Sequence, residues 1–159
     1  MEYSSGILVY RKNKDFVIEF LMCSPSGPYW VRRKLFCFPK GHIELSDKTS
    51  KDAAIREFYE ETSFNIKPYE NDLCYEGEIK QNKNKIVSVY SFYDKNFSID
   101  IDNLKCSSLT KIEFPKGSNK FIDIEEVSHY KWMTYDEIIK SEHIKAYESL
   151  YNSITKREK

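Results

Sequence analysis

The sequence predicts one mixed α/β domain in which a sheet lies between helical layers. Short apolar, β-branched runs flank a single capped helical segment that begins near Thr49. A second helical period, Ile144, Tyr147, Leu150, Tyr151 and Ile154, lies near the C-terminal end. With 159 residues, 40% of them hydrophobic, the chain can build one real core and is too short for two ordinary ones. Strands before and after one central helix, with helices last, give the layered arrangement.

Taken in order, Ser5–Arg11 and Phe16–Met22 are strand-like runs joined across the polar turn Lys12-Asn13-Lys14-Asp15. Prolines and glycine between Cys23 and Trp30 break regular structure. The apolar run Leu35–Phe38 reads as a short strand turning into a loop at Pro39-Lys40-Gly41, and Thr49, Ser50 and Asp52 supply a helix cap and first-turn negative charge. Leu73–Lys80 and Lys85–Tyr93 follow as strands, the second apolar enough to be covered on both faces. Asp94–Thr110 is irregular, and Lys111–Phe114 is a short strand stopped by Pro115. Phe121–Val127 leads into a strand at His129–Met133. Thr134 and Glu137 then form a capping box. The last helix covers Ile144–Thr155, and Lys156–Lys159 reads as a frayed tail.

Lys and Arg number 25 and Asp and Glu number 25, so nothing draws the whole chain to nucleic acid or an anionic membrane, and any polyanion must be held by a local cluster. No run reaches membrane-spanning length. Cys23, Cys37, Cys74 and Cys106 lie far apart with no C-x-x-C pair, which argues against zinc and for reduced, buried thiols. The expectation is a soluble, cytoplasmic protein.

The chemistry concentrates in Phe38–Ile66. On a helix Glu57 neighbours Glu60 and Glu61, and three carboxylates on one face repel unless cations sit between them. Oxygen-only ligands suit hard divalent ions, Mg²⁺ or Mn²⁺. An acidic run alone is most often a solvated helix face. Here a strand, a glycine loop and a helix start precede it, the layout of a metal and phosphate site.

The segment resembles the Nudix box, G-x5-E-x7-R-E-U-x-E-E-x-G-U, with U a bulky apolar residue. Gly41 matches the opening glycine, Arg56-Glu57 the R-E, Phe58 the first apolar position, Glu60-Glu61 the E-E pair and Phe64 the last position. Three departures stand out: one extra residue between Gly41 and Arg56, Asp47 at the early glutamate, and Ser63 at the late glycine. Glu44 rivals Asp47 as the early acid. A second likeness is the stretch SPSGPYW-VRRK ahead of the box, similar to H-P-G-G-P-F-W in small bacterial Nudix proteins described as predicted nucleoside triphosphate pyrophosphohydrolases. Together the two extend from about Ser5 to Met133.

The resemblance implies an α/β/α sandwich and Mg²⁺-dependent hydrolysis of a phosphoanhydride in a nucleoside triphosphate or dinucleoside polyphosphate. It implies metal ligation by Glu57, Glu60 and Glu61 with the Gly41 backbone, and a supporting role for Arg56. Lys40, Arg32 and Arg33 are placed to meet phosphates, and Trp30 is a substrate contact or ordinary packing. The general base is open among Glu60, Glu44, Glu126 and Asp123, and His42 lies beside the site. An mRNA-decapping enzyme is an alternative, since caps contain the same anhydride, although the net charge of zero counts against an RNA body. A nucleotide- or partner-binding Nudix domain without turnover is another.

Overall fold

The computed structural model describes residues 1–28, 36–140 and 144–158, with backbone alone for 144–146. Six strands make the main sheet: β1 (Glu2–Lys12), β2 (Ile18–Pro25), β3 (Lys40–His42), β4 (Cys74–Asn82), β5 (Lys85–Tyr93) and β8 (Val127–Thr134). Their order is β4-β5-β1-β2-β8, with β3 beside β1. β1 organises the sheet. It runs parallel to β5 from Glu2 opposite Lys85 to Tyr10 opposite Tyr93. Its other edge is shared, with Ser4–Gly6 antiparallel to β3 and Tyr10–Lys12 antiparallel to β2. A separate two-stranded ribbon joins β6 (Leu109–Glu113) to β7 (Phe121–Glu125).

Side chains alternate across a strand, so β1 feeds two cores. Ile7 and Val9 pack with Leu21, Phe92 and Ala54, Ile55 and Phe58 of helix α1 (Ser50–Thr62). Leu8 and Tyr10 face the other way, with Phe20, Met22, Val87 and Val89, onto Ile138 of α2 (Tyr135–Ile139) and onto Tyr147, Leu150 and Ile154 of α3 (Ile144–Arg157). This is the sandwich of helix, mixed sheet and helices. Val87 and Val89 turn to one core and Phe92 to the other, so β5 is covered on both faces as its composition predicts.

Two expectations need correction. The strand at Leu35–Phe38 is absent from the described residues 36–38: Cys37 makes only an isolated bridge to Cys23, and the ladder runs instead through Lys40–His42, where Gly41 fits against β1. The tail is docked through Glu158. α3 continues to Arg157, which pairs with Glu76 of β4 at 2.5 Å, and Tyr10 donates to the Glu158 carboxylate at 2.7 Å. The capping box of Thr134 and Glu137 forms as read. The expected contacts of Trp30, Arg32 and Arg33, and the core position of Ile144, lie outside the described side chains. Among the described residues no helix is long and apolar enough to cross a membrane.

The Glu76 side chain is only 2% exposed. Burial works to raise its carboxyl, but hydrogen bonds from Arg157, Ser91 and Ser153 outweigh it and hold the group below its ordinary range. Arg157→Met leaves that charge half-satisfied, so we expect a loss of about 1–3 kcal/mol in urea unfolding. Adding Glu76→Gln should recover part of it; an additive double mutant would show that the two residues do not interact.

Candidate active site

The site is built on α1. Thr49 opens the helix by accepting from the Asp52 N–H at 3.1 Å. At the other end Ser63 adopts the left-handed backbone, φ 63°, that the family pattern fills with glycine, and its N–H caps the Tyr59 carbonyl at 2.7 Å. The segment 105–108 covers two further helix carbonyls, with Lys105 N–H on Thr62 and Ser107 N–H on Glu60. Ser63 Oγ donates to the Lys105 carbonyl at 2.5 Å, a bond glycine could not make. The last turn, which carries Glu60 and Glu61, is held at both flanks.

Glu57 and Glu61 point inward and are 7% and 6% exposed, while the Glu60 side chain is 37% exposed. The Glu57 carboxylate lies directly over Gly41. A Cβ at Gly41 would fall inside its van der Waals radius, so glycine is required here for space. Glu61 accepts the Lys40 backbone N–H at 2.8 Å, and the Tyr130 hydroxyl donates to the Glu61 carbonyl.

Arg56 ties the helix to the loop before it. Its guanidinium reaches both Asp47 oxygens at 3.0 and 2.8 Å, Glu57 at 2.9 Å, Glu60 at 3.2 Å and the His42 carbonyl at 2.9 Å. The loop closes on itself through Asp47 N–H to the Glu44 carbonyl and Glu44 N–H to the Asp47 carboxylate, which keeps Asp47 at the family spacing from Gly41 and puts the extra residue between Asp47 and Arg56.

Arg56 hydrogen bonds hold the Asp47 carboxyl below its ordinary value. Burial does the opposite to Glu57, raised to about 7 against the pull of Arg56, and to Glu61, raised to about 8 with Glu57 repulsion added. The charge of Glu126 adds to both.

The structure therefore brings together Arg56, Glu57, Glu60, Glu61, Gly41, Glu44 and Glu126. Glu44 stands 3.6 Å from Arg56, and Glu126, between β7 and β8, is exposed with no salt-bridge partner among the described residues. Asp123 is exposed on β7 opposite Lys111. His42 contributes its carbonyl, since strand alternation turns its ring to the other face of the sheet along with the Lys40 side chain. Asp47, read from the sequence only as a stand-in for the early acid, is the main partner of Arg56. Its register to the helix depended on a loop whose length departs from the pattern. A cleft lined by Tyr69, Asp72, Phe92, Asp94, Lys95 and Asn96 contains none of these residues.

Among the described residues no three acidic, His or Cys side chains already surround one point. Arg56 occupies one oxygen each of Glu57 and Glu60, while Lys40 N–H takes one of Glu61. Each glutamate keeps its other oxygen outside these bonds. Two buried carboxylates short of positive charge, with oxygen donors only, fit a hard divalent cation.

A family model described as the NUDIX domain matches residues 3–153. A curated relative, the probable DHNTP pyrophosphohydrolase of Lactococcus lactis subsp. cremoris (strain MG1363), is 39% identical over 64 residues; the match spans 40% of this chain and 32% of that protein. Among solved structures, the NUDIX domain of Shewanella oneidensis NrtR complexed with ADP ribose superposes with a TM-score of 0.65 at 13% identity, covering 97% of this chain and 88% of that one. A C. elegans Ap4A hydrolase binary complex gives 0.60 at 21% identity, covering 98% of each chain.

Between about pH 5 and 8 the folded, metal-free protein keeps protons on Glu57 and Glu61 that the unfolded chain has released, so its stability should fall as pH rises, by roughly 2–4 kcal/mol across the window. Chemical denaturation in EDTA reads this; Glu61→Gln should flatten the slope, and an unchanged slope refutes the assignment. Gly41→Ala should cost about 1–3 kcal/mol by overpacking against Glu57. In a double-mutant cycle with Glu57→Ala most of that cost should disappear.

Proposed function

The chain belongs to the NUDIX domain family, and from that premise we propose that it hydrolyses a phosphoanhydride bond in a nucleoside triphosphate or dinucleoside polyphosphate, with Mg²⁺ as its cation and Mn²⁺ as a substitute. The observation that carries this reading is the row Glu57, Glu60 and Glu61, two of them buried, each with one carboxylate oxygen outside the hydrogen bonds of Arg56 and Lys40. Those oxygens and the Gly41 carbonyl would hold the cation. When bound, it neutralises phosphate charge and acidifies water.

The remaining work falls to side chains. Arg56 is a positioning residue. Its fork of donors fixes Glu57 and Glu60 relative to the Asp47 loop, so the carboxylates are set before substrate arrives. Attack of water at phosphorus breaks one anhydride P–O bond and requires a group to take the water proton. Glu126 suits that role, because it is exposed, unpaired among the described residues and close enough to act electrostatically on Glu57 and Glu61. Glu44 borders the row from the loop side but is partly engaged by Arg56.

The three departures from the family pattern favour turnover over a binding-only domain, since each is accommodated. Asp47 pairs with Arg56 through both oxygens, Ser63 takes the left-handed cap, and the extra residue, between Asp47 and Arg56, leaves that pair intact.

Glu60→Gln and Glu61→Gln should abolish Mg²⁺-dependent phosphate release across a nucleotide panel while far-UV CD stays unchanged. Glu126→Gln should lower kcat about 10²-fold or more with little change in KM. Wild-type activity retained in the first two variants would remove the mechanism, and retained kcat in the third would move the base to Glu44.

A further inference from the structure

The chain builds the same turn twice at one end of the sheet. Asn13-Lys14-Asp15-Phe16 follows β1, and Asp94-Lys95-Asn96-Phe97 follows β5, its parallel neighbour. In each, the first residue's carbonyl accepts the phenylalanine N–H, at 2.9 Å from Phe16 and 3.3 Å from Phe97. The side chains of Asn13 and Asp94 each accept two further backbone N–H groups. Asp94 N–H donates to the Tyr10 carbonyl at 2.8 Å, which sets the two turns side by side. Each phenylalanine closes its turn with a left-handed backbone, φ 61° at Phe16 and 53° at Phe97. Glycine, asparagine or aspartate takes that conformation with less strain than a bulky aromatic. Phe97 has a use within the chain, since its ring lies 5.1 Å from the Arg11 guanidinium, which also stacks on Trp132 at 3.9 Å. Phe16 is 84% exposed and, with Val17, leaves an apolar tip in water. One exposed aromatic alone is ordinary; here a cleft at the same end of the sheet accompanies it.

The second turn forms one wall of that cleft, of about 230 Å³, lined by Tyr69, Asp72, Phe92, Tyr93, Asn96 and Ser98. Pockets for drug-sized ligands run to roughly 300–1,000 Å³, so this one suits a single aromatic side chain. Tyr69 and Phe92 stand with ring centroids 5.2 Å apart, and the buried Asp94 carboxylate has both oxygens taken by Ser98 and Ile99 N–H. A ring entering the cleft therefore meets aromatic walls and no unsatisfied charge. The charges around tip and cleft are complementary. Lys14 and Asp15 flank Phe16, and Asp72 and Lys95 flank the cleft. All four are exposed, and none has a salt-bridge partner among the described residues. A second copy facing the first can set Lys14 against Asp72 and Asp15 against Lys95. Tip and cleft share one end of the sheet, so a two-fold axis lets each copy give and receive in one closed contact. An anionic lipid surface would account for the tip but not for the cleft, Asp15 or Asp72.

We propose that the chain self-associates through this end, with Phe16 of each copy seated in the cleft of the other. β3 joins β1 at Ser4–Gly6, whereas the tip leaves β1 at Lys12, roughly 20 Å further along the strand. Both candidate active sites therefore stay open, and the inference is independent of the function proposed above.

Sedimentation equilibrium, carried to high micromolar concentration, should show wild type approaching twice the mass of one chain. Phe16→Gly suits the left-handed turn and Ser98→Trp fills the cleft; each should weaken association at least tenfold with far-UV CD and melting temperature unchanged. An equimolar mixture of these two variants should regain part of the association, because the tip of one still fits the cleft of the other. Lys14→Asp should weaken it severalfold, and Asp72→Lys added to the same chain should restore it. A wild type that stays monomeric overturns the proposal; if it then binds vesicles of anionic phospholipid through Phe16, the tip belongs to a lipid surface. Association that survives Phe16→Gly or Ser98→Trp, or a mixture no better than its components, puts the interface elsewhere and overturns it equally.

Discussion

Burying Glu57 and Glu61 on the inner side of α1 is the constraint from which the rest of the site follows. Two carboxylates out of water need compensating donors and positive charge close by. The protein supplies one guanidinium and one backbone N–H, which leaves both carboxyls raised. Residue 41 must then be glycine, because the Glu57 carboxylate fills the space of its side chain. Asp47 must sit where it does, because Arg56 is shared between loop and helix. Segment 105–108 must cover the end of α1, because a shift of that last turn would carry Glu60 and Glu61 with it.

β3 divides the charges of the molecule. Its three residues alternate, so Gly41 meets the Glu57 carboxylate on one face while the Lys40 side chain leaves on the other. Like charges are thereby kept within a few residues of unlike ones without neutralising them through direct pairing. β1, beneath it, contributes the small residues Ser4, Ser5 and Gly6 that let β3 lie close.

The C-terminal helix shows the same economy at a distance. Glu76 is buried and held by Arg157 from α3, and Tyr10 binds Glu158. These contacts lock the second helical layer over Leu8, Val87 and Val89, the face on which Lys40 and Lys85 lie. The last turn of α3 is therefore part of the framework behind the site.

The sequence alone determined the layered α/β class, the hairpin of β1 and β2, the caps at Thr49 and Thr134, and the carboxylate row, because each is set by local propensity or by 2.0 and 3.6 residue periodicity. It also marked Ser63 as the residue standing at the family's late glycine, which the structure puts in the left-handed backbone. Only the tertiary structure decided that Gly41 serves Glu57, that Asp47 holds Arg56, and that Lys40 and His42 turn to the reverse face. Those facts depend on which strand β3 pairs with and in what register. A three-residue strand carries too little pattern of its own to fix either, so the choice is made by β1, more than thirty residues earlier in the chain.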